Sequence, residues 1–110
     1  HDLIVFATPV YWYSMSGYMK IFFDRLTDLT ASHKPIGKQL KGKHVALITV
    51  STDDELPEGF EIPFKRTAEY FDMEYMGCFF SSAKAVNTPG QMLIQQAGEW
   101  ESKINYIVNT

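Results

Sequence analysis

The run Thr8-Pro9-Val10-Tyr11-Trp12-Tyr13-Ser14-Met15-Ser16-Gly17 carries the densest chemistry in the chain. Tyr11, Trp12 and Tyr13 offer flat apolar faces with polar edges. The apolar run Leu3-Ile4-Val5-Phe6-Ala7 comes before it, and a helical pattern follows it. The loop therefore stands at the carboxyl end of a strand and leads into a helix N-terminus. The first N–H groups of that helix lack intrahelical partners. In open parallel sheets, ligands bind at that end. Together these features suit a planar, hydrogen-bonding heterocycle. The competing reading packs the aromatics under the loop or into a dimer interface.

Other chemistries fail on residue type or spacing. Ser14-Met15-Ser16-Gly17 is not the G-x-S-x-G nucleophile elbow. Gly90 and Gly98 form no dinucleotide fingerprint. Asp53, Asp54 and Glu55 read as a solvated acidic loop, because a metal site needs oxygens that converge. Cys78 falls inside an apolar run and reads as a core thiol; a reactive thiolate needs an accessible, electropositive setting. His33 and His44 flank a lysine-rich connection and read as surface residues, not a metal pair. A phosphoacceptor architecture would need an aspartate where Ala7-Thr8-Pro9 stands, so a receiver domain is excluded. No side chain is assigned a catalytic role and no residue a metal.

The elements that must position the loop follow from periodicity. Leu3–Ala7 and Val45–Val50 lack polar alternation, as strands covered on both faces do. Thr8-Pro9 is expected to end the first strand, since Pro9 cannot donate to a ladder. A helix is expected over about 16–29, with Met19, Phe22, Phe23, Leu26 and Leu29 on one face. Residues 30–43 read as a polar connection. Phe60, Phe64, Ala68 and Phe71 mark a second helix, and 75–80 a third strand with Gly77 as a soft point. Asn87-Thr88-Pro89 starts a third helix, with Leu93, Ala97, Trp100 and Ile104 along its stripe. Alternating strands and helices imply a parallel sheet with right-handed crossovers. Handedness puts the first two helices on one face, and the third helix is expected on the other. The first strand is an edge, yet its composition is that of a central strand, which favours pairing with further chain.

Composition sets the outer limits. With 110 residues and 45% hydrophobic content the chain suits one domain with a core. Its net charge of −3 argues against nonspecific nucleic-acid binding. Its one cysteine precludes an internal disulfide and fits a reducing cytoplasm. No apolar run approaches the roughly 20 residues of a membrane span. A cleavable signal is not expected, because the chain opens directly in a strand-like run.

Pro9, Tyr11, Trp12, Gly17, Lys20, Asp24 and Arg25 together resemble the flavodoxin-like NAD(P)H-dependent FMN and quinone reductases. In that family a P-x-x-W-like turn leads to G-x-x-K-x-x-x-D-R. Pro35-Ile36-Gly37-Lys38, Gly42-Lys43-His44-Val45 and Pro57-Glu58-Gly59-Phe60 extend the likeness over nearly the whole chain. The resemblance implies an α/β, three-layer, flavodoxin-like open parallel sheet with strand order 2-1-3-4-5. This chain would be a single partial domain over 1–110, matching the last three strand–helix units. The two missing units would account for roughly 60 residues at ~30 each, and would include the loop that cradles the FMN phosphate.

The resemblance further implies FMN as cofactor and NAD(P)H as co-substrate, with hydride passing through the flavin to a small acceptor. The ring-contacting turn maps onto Pro9, Val10, Tyr11, Trp12 and Tyr13, and the turn after the next strand onto Ser51, Thr52 and Asp53. Many members carry glycines in that second turn. Here it reads Thr52-Asp53-Asp54-Glu55, and its charge opposes close approach of an anion. The alternative is a non-catalytic fragment that self-associates. Either way a homo-oligomer built on the exposed first strand is expected.

Overall fold

A computed structural model describes residues 1–83 and, beyond them, residues 98, 101, 102, 104 and 105. Three strands, β1 (Leu3–Pro9), β2 (His44–Ser51) and β3 (Glu74–Ser82), form one parallel sheet in the order β1-β2-β3. Helix α1 spans Gly17–Arg25 and continues as a 3₁₀ turn over Leu26–Leu29. Helix α2 is Lys34–Lys38 and α3 is Ile62–Tyr70.

Both long helices cover the same face of the sheet, as right-handed crossovers require. Phe23 of α1 and Phe64 of α3 meet edge to face at 5.2 Å, and both rings lie against Phe6 of β1, at 5.1 and 5.9 Å. Leu47, Met15 and Phe60 complete this cluster. A second one forms around Val45, Ala68 and Met73. Alternation along the strands puts Phe6 and Leu47 on the helix face and Val5, Ile48 and Val50 on the other. These last three are 42–45% exposed.

Several elements differ from the sequence expectations. β1 runs through Pro9, because the edge position leaves its missing N–H without consequence. The first helix closes to 3₁₀ after Arg25, and Phe22 is half exposed although its ring contacts Phe6. Residues 30–43 are not merely a connection. They hold α2, which Pro35 can open because the first-turn N–H groups have no helical partner anyway. Phe60 lies in the turn before α3, where Gly59 turns at φ +82°. Gly77 marks a bulge: Tyr75 pairs with Val45 and Gly77 with Ala46, so Met76 is the extra residue, and Gly77 adopts φ +118°.

The third helix expected from residue 87 lies largely outside the described residues, though 98, 101, 102, 104 and 105 are helical. Among the described residues no helix is long and apolar enough to cross a membrane.

Candidate functional site

The aromatic loop folds as a tight two-residue turn. Tyr11 N–H donates to Ser14 O at 2.9 Å and Ser14 N–H donates to Tyr11 O at 3.1 Å. Between them Trp12 and Tyr13 take φ +49° and +68°. This is the geometry of a type I′ turn, which favours Asn-Gly because both central residues need positive φ. Aromatic side chains in that region cost about 1–2 kcal/mol each. Strain of this kind clusters at functional sites.

The strain does not serve packing. Tyr11 is 60%, Trp12 92% and Tyr13 68% exposed, so the aromatics do not pack under the loop. The plug beneath the loop is Met15, buried in the main cluster.

Two hydrogen bonds fix the turn to the scaffold. Val10 N–H donates to Val50 O at 3.0 Å, so the turn leaves the sheet beside the end of β2. Ser16 N–H donates to Thr8 Oγ1 at 3.0 Å, and Ser16 Oγ in turn accepts from Met19 N–H, capping α1. The cap is legible in the sequence, since serine before an apolar helical pattern signals an N-cap. The role of Thr8 is not, because it joins residues eight apart across a loop.

The eight residues expected at the site are thus brought to one end of the sheet. Pro9, Val10 and the turn Tyr11–Tyr13 follow β1; Ser51, Thr52 and Asp53 follow β2 directly alongside. Ser51 is buried and its hydroxyl accepts from Asp53 N–H at 3.1 Å, while Thr52 and Asp53 are exposed. The N–H groups of Val10 and Tyr11 are engaged within the scaffold. Those of Trp12 and Tyr13 make no hydrogen bond among the described residues and are available to a ligand edge. One strand position further in, Thr49 Oγ1 is buried with no partner among the described residues. An orphaned hydroxyl of this kind costs about 1–3 kcal/mol. Exposed ring faces, free N–H donors and an unpaired hydroxyl fit the ring end of a flavin.

The other resemblance residues have plainer places. Lys20 and Asp24 pair on the solvent side of α1, and Arg25 pairs with Asp28 at 2.7 Å. Cys78 is half buried against the main cluster, and burial first, then the charge of Glu61, pushes its thiol up to about 12. His44 Nε2 lies 3.0 Å from Glu74 Oε2, and His33 is exposed. Among the described residues no group of three or more His, Cys, Asp or Glu could hold a metal.

The chain is similar to known proteins. Residues 1–104 match a family described as having the flavodoxin-like fold. An uncharacterized NAD(P)H oxidoreductase, YdeQ of Bacillus subtilis, is 28% identical over 118 aligned positions, covering 97% of this chain and 59% of the relative. A putative NAD(P)H-dependent FMN-containing oxidoreductase of the same organism, YwqN, is 27% identical, covering 83% of this chain and 51% of the relative. The chain therefore spans little more than half the length of these curated relatives. The solved structure of an NADPH-quinone reductase from P. pentosaceus superposes with a TM-score of 0.70 at 20% identity, covering 99% of this chain and 68% of that one. With the parallel sheet and a match over nearly its whole length, the chain belongs to the flavodoxin-like family.

Proposed function

We propose that this chain forms the flavin-ring side of an NAD(P)H-dependent FMN oxidoreductase that reduces a quinone or another small acceptor. The observation that carries the reading is the pair Trp12 and Tyr13, strained and exposed at the carboxyl end of β1. The names of the relatives, NAD(P)H oxidoreductase and FMN-containing oxidoreductase, support it. FMN, when bound, supplies the hydride chemistry; the protein contributes orientation and electrostatics.

Each part of the site has a defined task. Tyr11, Trp12 and Tyr13 flank the ring and keep water from it. The free N–H groups of Trp12 and Tyr13, with backbone of Pro9 and Val10 and of Ser51 to Asp53, hold its polar edge. No protein side chain acts as an acid or base. The oxidoreductase names of the relatives favour this reading over a non-catalytic, self-associating module.

Self-association through the open edge of β1, and residence in the cytoplasm, belong to the same proposal. Among the described residues β1 pairs on one side only, with β2, which supports pairing on the other. A monomer at micromolar concentration in sedimentation would count against it.

The deciding experiment is an FMN titration of the chain followed by flavin fluorescence. Saturable quenching at micromolar FMN, weakened in Trp12→Gly, is expected. No saturable binding overturns the reading for this chain.

A further inference from the structure

Lys34, Lys38 and Lys41 line a cavity of about 370 Å³ between α2 and the turn from α3 into β3. The other described lysines and arginines are all engaged. Lys20, Arg25 and Arg66 pair with carboxylates, Lys43 donates to His1 O, and Lys65 lies over the Tyr75 ring. Among the described residues, the three lysines without an ion pair, hydrogen bond or ring contact are therefore the three that share this cavity. Spacings of four and three residues put them on one face, and the turn of α2 continues to Lys41 through Leu40 N–H to Gly37 O and Lys41 N–H to Lys38 O. Like charges at that spacing repel one another. In a chain of net charge −3, the unpaired lysines among the described residues are thus concentrated in one place.

The walls are fixed. A Cβ added at Gly37 would collide with the Leu29 carbonyl oxygen, so α2 is seated directly on the 3₁₀ turn. Gly42 N–H donates to Asp72 O at 2.9 Å and ties the two sides of the cavity together. Tyr70 presents a ring that is 67% exposed, held by an edge-to-face contact with Phe71 at 5.1 Å.

We propose that this cavity binds a small phosphate monoester carrying one aromatic ring. The charge fits: Asp72 is the acid lining the cavity, so three ammonium groups leave an excess of two positive charges. A phosphate monoester carries roughly −1.5 to −2 at neutral pH. Ammonium groups are compact phosphate binders that need no bidentate geometry. Tyr70 supplies a stacking face. The volume falls at the small end of ligand sites, which run from roughly 300 to 1,000 Å³, and so suits one ring and one phosphate rather than a dinucleotide. The cavity lies where α2 and Asp72 lead into the amino ends of β2 and β3. The aromatic turn is at the carboxyl end, on the order of 25 Å away along a strand rising about 3.3 Å per residue. The proposal is therefore independent of the flavin reading.

The test is an amide-shift NMR titration of the chain with phenyl phosphate, with inorganic phosphate and phenol as separate arms. Saturable shifts at Gly37, Lys38, Lys41 and Asp72 are expected, with phenyl phosphate bound at least tenfold tighter than either control. The triple variant K34Q/K38Q/K41Q should lose at least tenfold in affinity with its thermal melt unchanged, and K38Q alone should lose severalfold. Tyr70→Ala should bring phenyl phosphate down toward inorganic phosphate. Unsaturable shifts, shifts confined to residues 11–13, or unchanged affinity in the lysine variants would overturn the proposal. Inorganic phosphate binding as tightly as phenyl phosphate would overturn the aromatic part of it.

Discussion

The phenol of Tyr75 on β3 donates a 2.7 Å hydrogen bond to Glu61 Oε1 at the start of α3, joining residues that pack into both core clusters to the helix above them. Tyr75→Phe keeps the packing and leaves the carboxylate without its donor. A loss of about 1 kcal/mol is expected, below the usual range for bonds to charged groups because the site is half exposed. Urea midpoints of the two proteins check it.

The same corner sets a limit at high pH. The Cys78 thiol is raised from its ordinary 9.0 to about 12 by burial and then by Glu61. The Tyr75 phenol is raised above its ordinary 10.0 by burial, then by its hydrogen bond to Glu61 and that group's charge. The folded chain thus keeps protons that the unfolded chain releases, so stability falls as pH rises. It should be complete below pH 9 and decline between pH 9 and 12. Cys78→Ala should delay the onset toward pH 10, where the unfolded tyrosine begins to titrate. Melting temperatures across that range read both. A thiol reagent at pH 8 should react slowly with the folded chain and quickly in denaturant.

Trp12→Gly separates strain from function. Removing an aromatic side chain from positive φ relieves about 1–2 kcal/mol, offset by roughly 0.5–1 kcal/mol of glycine backbone entropy. The melting temperature should hold or rise by a few degrees. Flavin affinity should fall severalfold to tenfold, because an aromatic stacking contact contributes about 0.5–1.5 kcal/mol. A large drop in melting temperature would show instead that Trp12 supports the fold.

Gly37→Ala should destabilise by about 1–3 kcal/mol, the usual penalty of overpacking. The new methyl meets the Leu29 carbonyl, which is backbone and cannot swing away. Calorimetry reads the loss. A melt like that of the parent chain would mean that α2 is not clamped to the 3₁₀ turn.

Phe64 is 1% exposed and touches the rings of Phe6, Phe23 and Phe60. Phe64→Ala should cost about 3–5 kcal/mol, a large part of the 5–15 kcal/mol that holds a typical domain. Loss of near-ultraviolet dichroism at room temperature is the expected signature.

Much of this protein was legible in its sequence. Apolar runs gave the three strands, and helical spacing gave α1 and α3. These signals are local, because side-chain period acts over a few residues. The order of strands and helices then fixed the parallel sheet, since crossover handedness leaves few alternatives. The aromatic turn and its family likeness also pointed to one end of that sheet. Helix α2 was hidden because Pro35 and Gly37 mimic a loop; only the approach to Leu29 shows why a glycine belongs inside a helix.

Tertiary structure alone decided the rest. Composition could not say whether Tyr11, Trp12 and Tyr13 were buried or presented, because that depends on Val10 meeting Val50 across the ladder and on Met15 filling the space beneath. Nor could spacing show that Tyr75 meets Glu61, or that Asp72 and Tyr70 close a cavity over three lysines on another element. Those pairings lie far apart in the chain, and only packing brings them within a few ångströms, where hydrogen bonds and charges act.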